Sequence, residues 1–227
     1  MCEITEWLRP VDAFRLHSPR PSVVIKVGLL RRLGGAEGIM SAQLLDEIYL
    51  VLYRRLTPER VLHVLGTAHT AVALARRWEI DADAALLAAL LHDMAKEDKP
   101  SALRRIMESA PEWSETDDEH YPAIWHAVAG AILAVRDYGV SESVARAILY
   151  HPTGAPDMDP LARVVFLADY IEPTRNWDGV ENLRQLAMKD LEQAVRVAVV
   201  QKTDHVQSKS KPLHPRSLRT RTVAERS

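Results

Sequence analysis

The sequence predicts an all-α protein, and three observations carry the prediction. Alanine and leucine dominate while aromatic residues make up only 6%, a balance that suits helices better than a β-sandwich. Apolar residues recur at helical spacing in successive segments, each bounded by a capping residue or a proline. No run alternates with period two for long enough to make a strand.

The elements follow in order. Residues 1–55 read as an N-terminal extension of poor periodicity, punctuated by SPRPS and RRLGGAEG, with one helix expected over Ser41–Leu56. Thr57 can N-cap a helix that has Pro58 at its first position and Glu59 beside the positive end of its dipole, running to about Trp78. Asp81 caps ADAALLAALLHDMAK, which is apolar on nearly every face and is therefore expected to be buried. A short helix is expected over Ala102–Ser109, before the acidic turn ETDDEH. Pro122 opens a helix that Gly139 ends, and Ser141 caps SVARAILY, which breaks at HPTGAP. Asp159 and Pro160 begin LARVVFLADYI, stopped by Pro173, and a last helix is expected from Val180 to Gln201. The helical domain thus spans 56–204. The tail, 205–227, is basic and by composition alone fits a solvated, disordered end.

Composition narrows the function. A chain of 227 residues with 47% apolar content holds one domain with extensions, two at most. A formal net charge of −2 argues against electrostatic binding of nucleic acid or of an acidic membrane. Cys2 stands alone, which excludes an internal disulfide framework and fits a reducing compartment. The longest apolar stretch, Ala84–Leu91, has eight residues, far short of the roughly 20 needed to span a bilayer. The opening MCEITEWLRP has no apolar core of a secretory leader, so a cytoplasmic protein is expected.

The nine histidines are not scattered. His63, His92, His126 and His151, with Asp93 and Asp169, fall on five successive helical segments, each in an apolar setting. Asp169 is surrounded in sequence by Val164, Val165, Phe166, Leu167, Ala168 and Ile171. A buried carboxylate without a partner costs several kcal/mol, so it implies a cation or strong donors. Arg163 or Arg175 could supply a plain salt bridge. The alternative is a metal: neutral imidazoles and carboxylates suit divalent iron, manganese or zinc, and the lack of cysteine clusters speaks against structural zinc. Such a mixed nitrogen and oxygen set leaves open positions for a water-activating ion.

The ordered set RVLH, LLHDMAK, WHAVAG, YHPTG and LADYIEPTR resembles the HD-domain metal-dependent phosphohydrolases. Within them it is similar to the YqeK-type symmetrical diadenosine tetraphosphate hydrolases, over about Thr57–Gln201. The resemblance implies an HD-domain helical bundle with the metal site between successive helices. It implies His63, His92, Asp93 and Asp169 as metal ligands, and His126 and His151 as ligands of a second metal or contacts to substrate phosphate. Arg60, Lys96 and Arg175 match positions that contact phosphates or the reacting group, and Asp93, Lys96 and His126 would carry the catalysis. Gly66 and Gly130 would permit close helix approach. In the tail, KPLHPRSL resembles a segment that closes over the nucleotide, which would turn Lys211, His214 and Arg216 towards the polyphosphate or the base. Pro152 stands where the family has Thr, Thr222 where it has Asn, and the first 55 residues have no counterpart.

The implied activity is hydrolysis of diadenosine tetraphosphate to two ADP with one or two divalent ions, iron by resemblance and manganese by ligand softness. A dinucleoside polyphosphate would be the substrate, and the family suggests a homodimer. Two alternatives stand beside it. One is another HD reaction, on a nucleoside mono- or triphosphate or a guanosine alarmone; the other is a nucleotide-binding sensor that turns over slowly.

Overall fold

A computed structural model describes residues 41–226, and among them every regular element is helical. The helices are α1 (Ala42–Arg55), α2 (Pro58–Arg77), α3 (Ala82–Leu91), α4 (Pro100–Glu108), α5 (Trp125–Tyr138), α6 (Glu142–Tyr150), α7 (Pro160–Ile171), α8 (Val180–Lys189), α9 (Leu191–Ser208) and α10 (Pro215–Arg226). Three 3₁₀ turns, Pro111–Trp113, Asp118–His120 and Pro122–Ile124, fill the link between α4 and α5. Expectations for residues 1–40 lie outside the described residues. No helix among the described residues is long and apolar enough to cross a membrane.

The caps anticipated at Thr57, Asp81, Ser141 and Asp159 form, and Ser41 adds one that was not read. Ser41, Thr57, Asp81, Ser141 and Asp159 each accept a backbone N–H at the start of α1, α2, α3, α6 and α7. Gly139 ends α5 at φ 64°, the left-handed region that glycine enters without strain. The core centres on α3, against which α2, α6 and α7 pack. Ala85, Ala88, Ala89, Leu90 and Leu91 are wholly buried there, and the alanines let the neighbouring helices approach closely.

Three elements differ from expectation. The helix predicted to run through Lys96 ends at Leu91 and continues as turns closed by bonds such as Met94 N to Leu91 O (3.1 Å) and Lys96 N to Asp93 O (2.9 Å). The single helix expected over Val180–Gln201 is two. Asp190 leaves helical geometry at φ −152° and caps α9 by accepting from Gln193 N at 2.9 Å. Aspartate followed three residues later by glutamine carries the pattern of a capping box, a start signal inside what reads as one helix. The basic tail is ordered as α10, packed on α9.

Candidate metal and phosphate site

Each site residue is aimed by its helix. His92 and His151 occupy the positions just past α3 and α6. Their Nδ1 atoms donate to the carbonyls three residues back, Ala89 O at 2.7 Å and Ile148 O at 2.8 Å. In a continued helix Ile148 O would take the N–H of residue 152, but Pro152 has none, so the carbonyl is left for His151. With Nδ1 occupied by N–H donation, the lone pair of each ring sits on Nε2 and faces inward. His63, on α2, is held the same way by a third acceptor: its Nδ1 lies 3.1 Å from Glu172 Oε1, just beyond α7.

The inward-facing atoms meet in one cluster. His63 Nε2 is 3.3 Å from His92 Nε2 and 3.2 Å from Asp169 Oδ1. Asp93 Oδ2 lies 3.5 Å from His92 Nε2 and 3.7 Å from His63 Nε2. His126, in the first turn of α5, has its Nε2 at 3.2 Å from that of His151, and both face Asp93 Oδ1, at 3.4 and 3.5 Å. Two sets of buried ligand atoms are therefore compact enough to hold a cation: His63, His92 and Asp169, and His92, Asp93 and His151. All six residues predicted from sequence are brought together.

The electrostatics suit a cation. Burial pushes His92 down to about 4, so it is a neutral donor at neutral pH. Burial, then Lys96, likewise holds His126 well below its ordinary value. Burial opposes ionisation of Asp93, but His92, His151 and Lys96 outweigh it and keep the carboxyl well below the usual carboxylate range. Asp169 is shifted the same way, burial being overcome first by Lys202 and then by His63. For His63, burial would lower the ring, yet Asp169 and Glu172 together raise it. Asp93 Oδ1 is buried and has no hydrogen-bond partner among the described residues. An ionised oxygen without a donor, surrounded by inward-facing imidazoles, fits a divalent ion.

Four cations ring this cluster. Arg60 NH1 is 2.9 Å from Asp93 Oδ2, and Arg175 NH2 is 3.1 Å from Asp169 Oδ1. Lys96 Nζ lies 3.0 Å from His126 Nε2 and 3.9 Å from Asp93 Oδ1. Lys202, on α9, places Nζ 3.1 Å from Asp169 Oδ2 and 2.8 Å from His151 O. Their side chains are 21–38% exposed, whereas Asp93 and Asp169 are 3% and 11%. Positive charge thus sits at the mouth and negative charge at the floor. Asp169 pairs with Arg175 and also faces the cluster, while Arg163 pairs with Glu192 instead.

Of the two glycines read as permitting close helix approach, the packing requires Gly66 and not Gly130. A Cβ on Gly66 would come within 2.6 Å of Glu172 Oε2, whereas one on Gly130 would make ordinary contact with Ile148 at 3.4 Å and His92 O at 3.6 Å. Sequence reasoning missed Glu172 and Lys202. Glu172 lies in the quoted LADYIEPTR, where a carboxylate next to a helix-stopping proline was a usable signal. Lys202 continues the buried stripe Ala194, Val195, Ala198, Val199, so a charge on an apolar face was its signal.

The tail is placed differently from the reading that turned it towards nucleotide. His214 and Arg216 are buried and bind protein carboxylates: His214 Nε2 and Arg216 NH2 reach Asp118 Oδ1 at 2.9 and 3.2 Å, and Arg216 Nε reaches Glu115 at 2.8 Å. Lys211 is exposed. A buried Asp118 needs the Arg216 guanidinium and the His214 ring as partners more than solvent-facing phosphate does, and the clasp ties α10 to the loop before α5. Gly154, at φ 65°, completes it, since a Cβ there would meet Thr220 at 2.8 Å.

Comparisons with known proteins agree with this geometry. Residues 60–174 match the HD domain family. The chain is 36% identical to the symmetrical bis(5'-nucleosyl)-tetraphosphatase of Bacillus subtilis (strain 168) over 75% of this chain and 91% of that protein. It is 36% identical to the protein of that name in Halalkalibacterium halodurans, over 73% and 88%. Among solved structures, a predicted HD superfamily hydrolase involved in NAD metabolism from Clostridium acetobutylicum superposes with a TM-score of 0.76 at 33% identity, covering 84% of this chain and all of that one. The family match spans the segments that deliver His63, His92, Asp93, His126, His151 and Asp169 to one buried cluster, and the chain belongs to the HD-domain family, among the symmetrical bis(5'-nucleosyl)-tetraphosphatases.

Proposed function

We propose that this protein hydrolyses diadenosine tetraphosphate symmetrically to two molecules of ADP. The observation that carries the reading is the arrangement of charge: inward-facing imidazoles and carboxylates at the floor, with Arg60, Lys96, Arg175 and Lys202 around the mouth. His63, His92, Asp93 and Asp169 would hold a divalent ion, with His126 and His151 serving a second ion or a substrate phosphate. A divalent ion bound there supplies Lewis acidity and lowers the pKa of water. Iron is the proposed ion and manganese the alternative. The reading extends to a homodimer in the cytoplasm, on the strength of the family resemblance alone.

The chain's own residues set up the rest. Glu172 and the carbonyls of Ala89 and Ile148 fix the tautomers and directions of His63, His92 and His151. Arg60 and Arg175 offer planar forks to non-bridging phosphate oxygens, and Lys96 and Lys202 offer point charges. These neutralise the charge that spreads over the phosphoryl oxygens, and on the departing ADP, in a loose transition state. His126, held neutral by burial and then by Lys96, would present an uncharged Nε2 to the second ion or to a substrate phosphate.

A nucleotide panel tests the reading. Diadenosine tetraphosphate should yield ADP as sole product, faster than nucleoside monophosphates, triphosphates or guanosine alarmones are turned over. ATP plus AMP would refute symmetric cleavage, and tight binding with negligible turnover would make the protein a sensor instead.

A further inference from the structure

Arg216, in the first turn of α10, is 1% exposed, and its guanidinium joins two stretches of chain that lie far apart in sequence. Nε donates to Glu115 Oε1 at 2.8 Å and NH2 to Asp118 Oδ1 at 3.2 Å, both in the link before α5. NH1 donates to Thr153 Oγ1 at 3.4 Å, and the cation lies 5.5 Å from the centroid of the Tyr150 ring. Tyr150 and Thr153 flank His151 in sequence. Asp118 also accepts the indole N–H of Trp125 on its carbonyl at 2.9 Å, and Trp125 is the neighbour of His126. A second contact of α10 falls on the loop after His151, where Thr220 sits so close to Gly154 that a Cβ there would come within 2.8 Å of it.

We propose that Arg216 is a positioning residue for the reaction, which sets the separation of His126 and His151 from a helix that carries no site residue itself. This role rests on the function given above to those two histidines, as contacts to a second ion or a substrate phosphate. Compensating Asp118 alone requires only a positive charge. A guanidinium offers three nitrogens in one plane, and here each reaches a different residue: two on the stretch that leads to His126, one on the stretch around His151. The two rings meet with their Nε2 atoms 3.2 Å apart, and both face Asp93 Oδ1, at 3.4 and 3.5 Å. A shift of either stretch therefore alters that triangle directly. Ile148 O fixes the rotation of the His151 ring, while Arg216 fixes where the stretch carrying it lies against the one carrying His126. His63 and His92 are aimed by Glu172 and Ala89 O, which belong to neither stretch. Arg216 thus acts on one half of the cluster and leaves the other to its own partners.

Arg216→Lys keeps a positive charge beside Asp118 and loses the planar fork, so it separates positioning from charge compensation. Imidazole ¹⁵N spectra of the metal-free full chain, recorded beside a thermal melt, should show the His126 and His151 signals displaced in this variant, with those of His63 and His92 close to their original positions. The kcat for diadenosine tetraphosphate should fall by about ten- to hundredfold, the scale of a misplacement of about 1 Å at a reacting group, while KM, set by Arg60 and Arg175, changes little. Thr153→Val leaves the Asp118 clasp whole and removes the hydroxyl on the His151 side, so it should displace the His151 signals even if Arg216→Lys fails to fold; Thr153→Ser, which keeps the hydroxyl, should leave them in place. Unmoved His151 signals in whichever variant folds would overturn the role, and so would equal displacement of all four histidines or an unchanged kcat in folded Arg216→Lys protein. The spectra do not depend on turnover: displaced signals in variants of a protein that fails to cleave the dinucleotide would refute the proposed activity and keep Arg216 as the residue that spaces the pair.

Discussion

Replacing Glu172 by glutamine removes one negative charge from behind His63 and changes almost nothing else in volume. Glu172 is fully buried. It accepts from His63 Nδ1 at 3.1 Å and from the backbone N–H of Thr174 at 2.7 Å, and it also accepts the Thr174 hydroxyl. Burial opposes its ionisation, but the Thr174 bonds and His63 hold its pKa below the ordinary value, so at neutral pH it is an anion. A hydrogen bond to a charged group contributes about 1.5–3 kcal/mol and a neutral one about 0.5–1.5 kcal/mol. The substitution therefore costs the His63 bond about 1–1.5 kcal/mol, roughly tenfold in equilibrium. A weaker acceptor makes His63 a less basic and less firmly oriented ligand, so affinity for Mn²⁺ should fall about tenfold, at the low end of the range for partners behind a metal ligand. Calorimetric titration with Mn²⁺, beside a thermal melt, measures both affinity and fold. Unchanged metal affinity in a folded Glu172→Gln protein would refute the claim that this carboxylate orients His63. Gly66→Ala attacks the same carboxylate from the opposite side, by driving a methyl towards Glu172 Oε2, and should produce a similar loss without altering any charge.

Other outcomes follow from the same geometry. Asp93→Ala should abolish metal binding and turnover together, with some loss of thermal stability from the uncompensated histidines, and metal analysis with an activity assay checks it. Arg60→Ala and Arg175→Ala should each lower turnover of the dinucleotide about ten- to hundredfold, since a charged contact is worth about 1.5–3 kcal/mol; metal content should stay near normal, and its disappearance would mean that these residues support the fold instead. Arg216→Ala takes the guanidinium from buried Asp118, leaving His214 and the Glu115 N–H as its partners, and should cost about 1.5–3 kcal/mol of stability, read as a lowered Tm. Asp118 has its pKa depressed, burial being overcome by His214 and Arg216. A group with a depressed folded pKa contributes stability that is present above its unfolded value and lost as pH falls through the folded one. Denaturant titrations should therefore show stability falling from about pH 4 downwards, and Asp118→Asn should flatten that slope.

Local chemistry was legible in the sequence wherever its cause is local. Caps at Thr57, Asp81, Ser141 and Asp159 form as read, because a side chain bonding a backbone N–H two or three residues on needs no distant partner. The six site residues were legible for a different reason: a histidine or aspartate placed on an apolar helix must be compensated somewhere, and a motif order shared with a known family indicates where. The bundle followed from helical periodicity without strands. Asp190 shows the limit of that reading, since its capping signal competes with an apolar stripe that runs straight past it.

Pairings between distant segments were decided only in three dimensions. Lys202 reaches Asp169 across 33 residues, His63 reaches Glu172 across 109, and Arg216 reaches Asp118 across 98. Composition made the tail a solvated basic end. The fold instead leaves Asp118 buried with no cation nearby in sequence, and the electrostatic cost of that carboxylate draws His214 and Arg216 inward and orders α10. Spacing along a chain encodes which residues share one helix face. Which charge compensates which depends on packing, because a carboxylate's need for a partner is set by the water it loses, and that loss exists only once the helices have closed around it.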